Sequence, residues 1–100
     1  MKLVRRIGTR GRVSIPVEQL NRLGVSVGDE LIVKTTKNGY IVKELPGYYD
    51  REDVVGRGNV VSVVTVNSNG NAQVTVPNLE DCWQVKLIQR DDRITITPAD

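Results

Sequence analysis

Apolar and polar residues alternate with a period of two along most of this chain, and glycine, proline and asparagine interrupt the alternation at intervals. Leu3 to Ile7 and Arg12 to Pro16 are predicted as two strands joined in a hairpin by the Gly8–Gly11 turn. Pro16 ends the second strand, because proline has no N–H to give to a ladder. Over Val17 to Leu23 the spacing changes. Val17, Leu20 and Leu23 or Gly24 fall on one stripe of a short amphipathic helix, with Pro16 suited to its N1 position and Gly24 to the residue after its end. Val25 to Asp29 is a connecting turn. Glu30 to Thr36 and Tyr40 to Leu45 then form a hairpin closed around Lys37-Asn38-Gly39, where Asn-Gly favours positive φ.

Pro46 to Asn59 breaks the pattern with three glycines, a proline and mixed charge, so residues 47–59 read as a linker between residues 1–46 and 60–100. Beyond it the first part returns in shortened form. Asn71-Ala-Gln-Val-Thr-Val-Pro77 echoes Arg10-Gly-Arg-Val-Ser-Ile-Pro16, Val60 to Val66 echoes the first strand, and Asn67-Ser-Asn-Gly70 takes the place of the first turn. Trp83 to Gln89 and Arg93 to Thr97 echo the hairpin, around Arg90-Asp91-Asp92. The helix is lost in this second copy, and Asn67, Asn69, Asn71 and Gln73 stand where the first copy has arginines. The expectation is a mainly β fold with one short helix and an internal pseudo-two-fold repeat.

Charge divides along the same line. Residues 1–46 carry nine Lys/Arg against four Asp/Glu, and residues 47–100 carry five against eight. Lys2, Arg5, Arg6, Arg10 and Arg12 all precede the first acid, Glu18, and Gly8 and Gly11 let the backbone between them turn tightly. That combination suits a polyanion for the first half. Valine, isoleucine and threonine are abundant and phenylalanine is absent, which reinforces the strand reading. Cys82 is the single cysteine and the chain has no histidine, so no intrachain disulfide and no Cys/His zinc site can form. A cytoplasmic setting is expected, without cofactor or metal. No signal-peptide run and no apolar segment of about 18 residues is present, so membrane contact is not expected.

Arg5-Arg6, Gly11-Arg12-Val13-Ser14-Ile15-Pro16, Leu23-Gly24, Gly28-Asp29-Glu30-Leu31 and the Lys37-Asn38-Gly39 turn occur in the order and spacing of the AbrB/SpoVT/MazE family of transition-state regulators and antitoxins, which residues 3–45 resemble. The second half resembles it weakly, as a degenerate copy. The resemblance implies a small swapped-hairpin β-barrel built from two copies of a unit of about fifty residues, with arginines of the first hairpin facing double-stranded DNA. It places Arg5 and Arg12 at the DNA-contacting positions, with Arg6 and Arg10 close by; Lys2 and Arg22 complete the candidate set. The helix departs from the family pattern: paired arginines are replaced by Leu20 and Asn21, with Arg22 displaced by one. The double copy permits either a single closed pseudo-dimer or a homodimer of chains, and a related double-psi-like barrel stays open because pairing order cannot be read from sequence.

Three functions follow. The first is a DNA-binding transcription regulator that uses the basic N-terminal hairpin. The second is an antitoxin whose second half or linker, the latter through Tyr48, Tyr49, Glu52 and Asp53, also engages a protein toxin. The third, an enzyme, is not expected: no nucleophile and base pair is visible, Gly24 is followed by Val25 rather than by serine, and Asp91-Asp92 reads as a solvated turn. Cys82 and Trp83 are expected in the core or at an interface.

Overall fold

The computed structural model describes residues 2–99, and its elements in chain order are β1 (Lys2–Arg6), β2 (Arg12–Ile15), α1 (Val17–Leu23), β3 (Glu30–Thr36), β4 (Gly39–Glu44), α2 (Arg51–Val54), β5 (Val60–Thr65), β6 (Ala72–Thr75), β7 (Gln84–Gln89) and β8 (Ile94–Pro98). Single 3-10 turns lie at Thr9–Gly11 and Pro77–Leu79. The mainly β expectation holds. Six strands form one antiparallel sheet in the order β1-β7-β8-β4-β3-β5, and β2 with β6 forms a separate two-stranded ribbon. The large sheet ends in two edges, β1 and β5, and is not closed into a barrel.

The order is unchanged when β1–β4 are exchanged for β5–β8. β1 lies beside β7 as β5 lies beside β3, while β2 pairs with β6 and β4 with β8 across the exchange. The first strand of each half is therefore held by the other half. Matched positions are also matched in burial: Val13 and Val74, Leu31 and Val85, Val33 and Leu87, Tyr40 and Ile94, and Val42 and Ile96 are all buried in one cluster. The period-two alternation explains this, since it turns every second side chain of β3, β4, β7 and β8 towards the ribbon. Leu20 of α1 and Leu79 of the second 3-10 turn cover the remainder.

Four expectations require correction. The strands β1 and β2 do not pair with each other. Gly8 N donates to Arg12 O (2.8 Å) and Gly11 N to Gly8 O (3.1 Å), and with Arg10 and Gly11 at φ 64° and 70° the chain turns a corner that carries it from the sheet into the ribbon. The expected linker contains a second short helix, α2, which is started by a capping box between Asp50 and Asp53. Arg51 ties it down through Glu30 (3.0 Å) and the Val63 carbonyl (3.4 Å). At the Lys37-Asn38 turn neither Asn38 nor Gly39 takes a positive φ. Gly39 is needed for a different reason: any Cβ there would overlap the Ile96 carbonyl oxygen of neighbouring β8. Finally, Pro16 stands as the N-cap of α1 rather than at its first helical position. Of the two places open to Cys82 and Trp83, Cys82 packs half-buried against the core, whereas Trp83 is 63% exposed and outside it.

The lost helix of the second copy has a physical counterpart. Pro77–Leu79 makes one 3-10 turn where α1 makes two α-turns, and the Asn78 N–H is satisfied by the Tyr40 hydroxyl at 3.0 Å. The N–H of Val17, the first residue of α1, donates to Asn71 Oδ1 (3.0 Å), so a side chain of the second half caps the helix of the first.

Candidate nucleic-acid interface

The corner at residues 7–12 is built from glycines and one strained arginine. Gly8 leaves β1 in extended backbone, Thr9–Gly11 closes the single turn, and Gly11 O accepts from Val76 N (2.8 Å). Arg10 is the one non-glycine residue with positive φ among the described residues, a conformation that costs an L-residue roughly 1–2 kcal/mol. Its side chain is thereby carried on the outside of the corner, where it is exposed. In the second half the matching turn is held by the same two backbone bonds, Asn67 N to Asn71 O (2.8 Å) and Gly70 N to Asn67 O (2.9 Å), and Asn67 Oδ1 additionally accepts from Asn69 and Asn71 N–H. The two corners share a backbone design but differ in charge.

Lys2, Arg5, Arg6, Arg10, Arg12 and Arg22 are all exposed, and none makes an ion pair among the described residues. Strand parity sorts them. Arg12 points outward from the ribbon beside Ser14, Gln73 and Thr75, because Val13 and Ile15 point inward. Lys2 and Arg6 lie on the outer face of the large sheet, whereas Arg5, opposite buried Val85, lies on the other face at the sheet edge. Arg22 stands apart from these, in the last turn of α1, where a cation suits the negative end of the helix. Arg6, Arg10 and Arg12 thus converge on one corner, and the remaining candidates flank it or lie on another element. One acid borders the corner: a Cβ at Gly11 would stand 3.3 Å from Glu80 Cγ, although Glu80 forms no ion pair among the described residues.

Comparison with family models, with curated proteins and with solved structures gave no match.

Two contributors escape sequence reading. Lys86 lies directly opposite Val4 in the β1–β7 register, and so on the same face as Lys2 and Arg6, although it belongs to the half whose own corner carries asparagines. Followed across the sheet, that outer face also carries Lys34 and Lys43, through the registers Lys34↔Ile41 and Ile32↔Lys43. Among the strand residues of that face the acid is Glu30, paired with Arg51, and Asp53 of α2 lines the groove beside Lys34 and Lys43. The segment 46–60 shares a groove with Ile32, Lys34 and Lys43, contributing Tyr49, Asp53 and Val54, so the β3–β5 side is partly covered. On the opposite side Val4 remains half exposed. The second contributor is Trp83, whose carbonyl accepts from Ile7 N (3.2 Å) and whose ring lies 4.8 Å from the Arg6 guanidinium carbon. Both are hidden from sequence reading because the β1–β7 pairing joins residues near opposite ends of the chain.

Among the described residues no group of three or more His, Cys, Asp or Glu is placed to hold a metal ion, and no helix is long and apolar enough to cross a membrane.

Proposed function

We propose that the chain is a DNA-binding regulator of AbrB type, which meets duplex DNA through the cations of residues 2–12. The observation that carries this reading is the convergence of Arg6, Arg10 and Arg12, all exposed and without an ion pair among the described residues, on one glycine corner flanked by Lys2 and Arg5, while the corner of the same backbone design in the second half bears asparagines instead. Such groups neutralise phosphates and release counterions. The interleaving of β1 with the second half and of β5 with the first supports a swapped-hairpin arrangement within one chain. The sequence-specific part of recognition falls to DNA shape, since arginine is the only side chain of the corner suited to bidentate reading of a base edge.

The test is fluorescence anisotropy with a labelled duplex over about 50–200 mM KCl. Changing Arg6, Arg10 and Arg12 singly to glutamine should flatten the plot of log K against log salt by roughly 0.9 for each phosphate no longer neutralised, whereas Asn69→Ala and Gln73→Ala leave it unchanged. Equal weakening by the two sets would overturn the assignment. One corner neutralises only a few phosphates, so two copies of the chain are expected to act together on one duplex, giving avidity neither has alone; sedimentation at micromolar concentration tests the homodimer.

The antitoxin reading is favoured by one feature. The Tyr48 and Tyr49 rings lie 4.7 Å apart, tilted by 50° to each other, and are 82% and 46% exposed, an aromatic pair presented to solvent beside α2. Co-purification with the product of a reading frame adjacent to the gene tests it.

A further inference from the structure

We infer that Trp83 is a stacking platform for an unpaired nucleobase, set at the end of the basic face formed by β1 and β7. This rests on the nucleic-acid reading above and states which form of nucleic acid the site accepts. Tryptophan brings the largest apolar surface of any side chain, and in a chain with four aromatic residues its single copy stands in water. Nothing in the core calls for it there. The indole is held from two directions: its backbone carbonyl extends the β1–β7 ladder by accepting from Ile7 N, and its ring lies against the Arg6 guanidinium. A cation on one part of a π system and solvent on the rest leaves indole surface available for a second flat partner.

The surroundings select what that partner is. Arg6, Lys86 and Lys2 share the outer face that begins beside Trp83, with Val4 between them, and no acid occupies that face on β1, β7 or β8. A basic track that follows a sugar-phosphate backbone, ending in an aromatic ring, is the combination by which proteins hold single strands. A stacked duplex presents only base edges in its grooves, so an indole at the surface finds no face to stack on unless a base is unpaired. A protein partner would call for a continuous exposed apolar patch around the tryptophan; here Arg6 lies on its ring, Ile7 and Gln84 are its backbone neighbours, and Val4 is the exposed apolar side chain of β1.

Trp83 is the only tryptophan, so the tryptophan fluorescence of the protein reports on this site alone. The full chain is titrated with a single-stranded thymidine oligonucleotide of about 15 residues, and separately with a blunt hairpin duplex, both also carrying a label for anisotropy. Stacking predicts strong quenching of the tryptophan by the single strand and little by the blunt duplex. Trp83→Ala should weaken single-strand binding roughly ten- to hundredfold without changing the salt slope, Trp83→Phe should restore most of it, and circular dichroism confirms that both variants fold. Duplex binding with normal salt slopes, combined with an unquenched tryptophan and an unaffected Trp83→Ala variant, overturns the platform and leaves the DNA-binding reading intact. Absence of binding to either nucleic acid overturns both.

Discussion

Replacing Gly39 with alanine adds one methyl group where β4 runs against β8. The backbone of Gly39 is not in the left-handed region, so the substitution carries no intrinsic conformational penalty. The whole effect comes from the neighbour: the new Cβ would overlap the Ile96 carbonyl oxygen and stand 3.0 Å from its carbon and 3.3 Å from Thr97 Cα, all of them backbone atoms with no rotamer to yield. Relief requires β4 and β8 to separate, yet Tyr40 and Ile96 beside the contact are both buried and mutually registered. Overpacking of a rigid core typically costs about 1–3 kcal/mol, and a contact with backbone belongs at the upper end. For a domain of this size each kcal/mol moves the melting temperature by roughly 4–8 °C, so Gly39→Ala should melt at least about 10 °C below the parent. Gly47→Ala is the control. Its Cβ would meet nothing within 4 Å and its φ is not positive, so the variant should match the parent or gain up to about 1 kcal/mol through the unfolded chain. Thermal unfolding followed by circular dichroism decides the matter. Equal melting temperatures for the two variants would show that the strands part easily here and that the close approach is not a constraint.

Arg10→Gly should raise stability by about 0.5–1 kcal/mol, because it relieves the left-handed strain, while weakening binding to duplex DNA; urea unfolding and anisotropy measured on the same sample separate the two effects. Cleavage after exposed Arg57 should leave both fragments in a single particle by size exclusion, since β1 is held by β7 and β5 by β3; fragments that part without denaturant would contradict the interleaving. With no histidine in the chain, affinity for DNA should be flat between about pH 6 and 8, and a tenfold change across that range would point to a titrating group outside the proposed set. The Asp92 carboxyl is held below its usual range by hydrogen bonds from the Arg93 guanidinium, with Arg93 and Lys43 adding Coulombic attraction. A lowered folded-state value stabilises above the ordinary carboxylate range and is lost as pH falls through the folded value, so the small difference between parent and Asp92→Asn in urea midpoint at pH 7 should shrink as pH falls below the ordinary carboxylate range.

What is legible in the sequence is local. The alternation in Arg12–Ile15 and Ala72–Thr75, the prolines that end both runs, and the change of period over Val17–Leu23 all depend on residues within a few positions of one another, and each appears as predicted. Pairing is not legible where it joins distant strands. Leu3 to Ile7 is an equally good strand beside Val13 or beside Val85, and only the corner geometry of Arg10 and Gly11 sends it to the second. Lys86 and Trp83 escape notice for the same reason, since their place beside Lys2 and Arg6 exists only once β7 lies on β1. The Asn-Gly dipeptide marks Gly39 as necessary for a torsional reason, whereas the actual cause is the carbonyl of Ile96, far along the chain. The exposed cations of residues 2–12 are readable directly, because charge that lacks a local partner is a property of composition as much as of fold.

The exchange of first strands has a consequence for how the protein is made. β1 leaves the ribosome well before its partner β7, which is translated roughly 5–15 s later at ordinary elongation rates. During that interval an unpaired strand waits in a crowded cell, the circumstance in which nascent chains stick to one another. Lys2, Arg5 and Arg6 are three of its five residues. The charges proposed to face a polyanion therefore have an earlier use, keeping the nascent strand apart from its neighbours until β7 arrives to receive it.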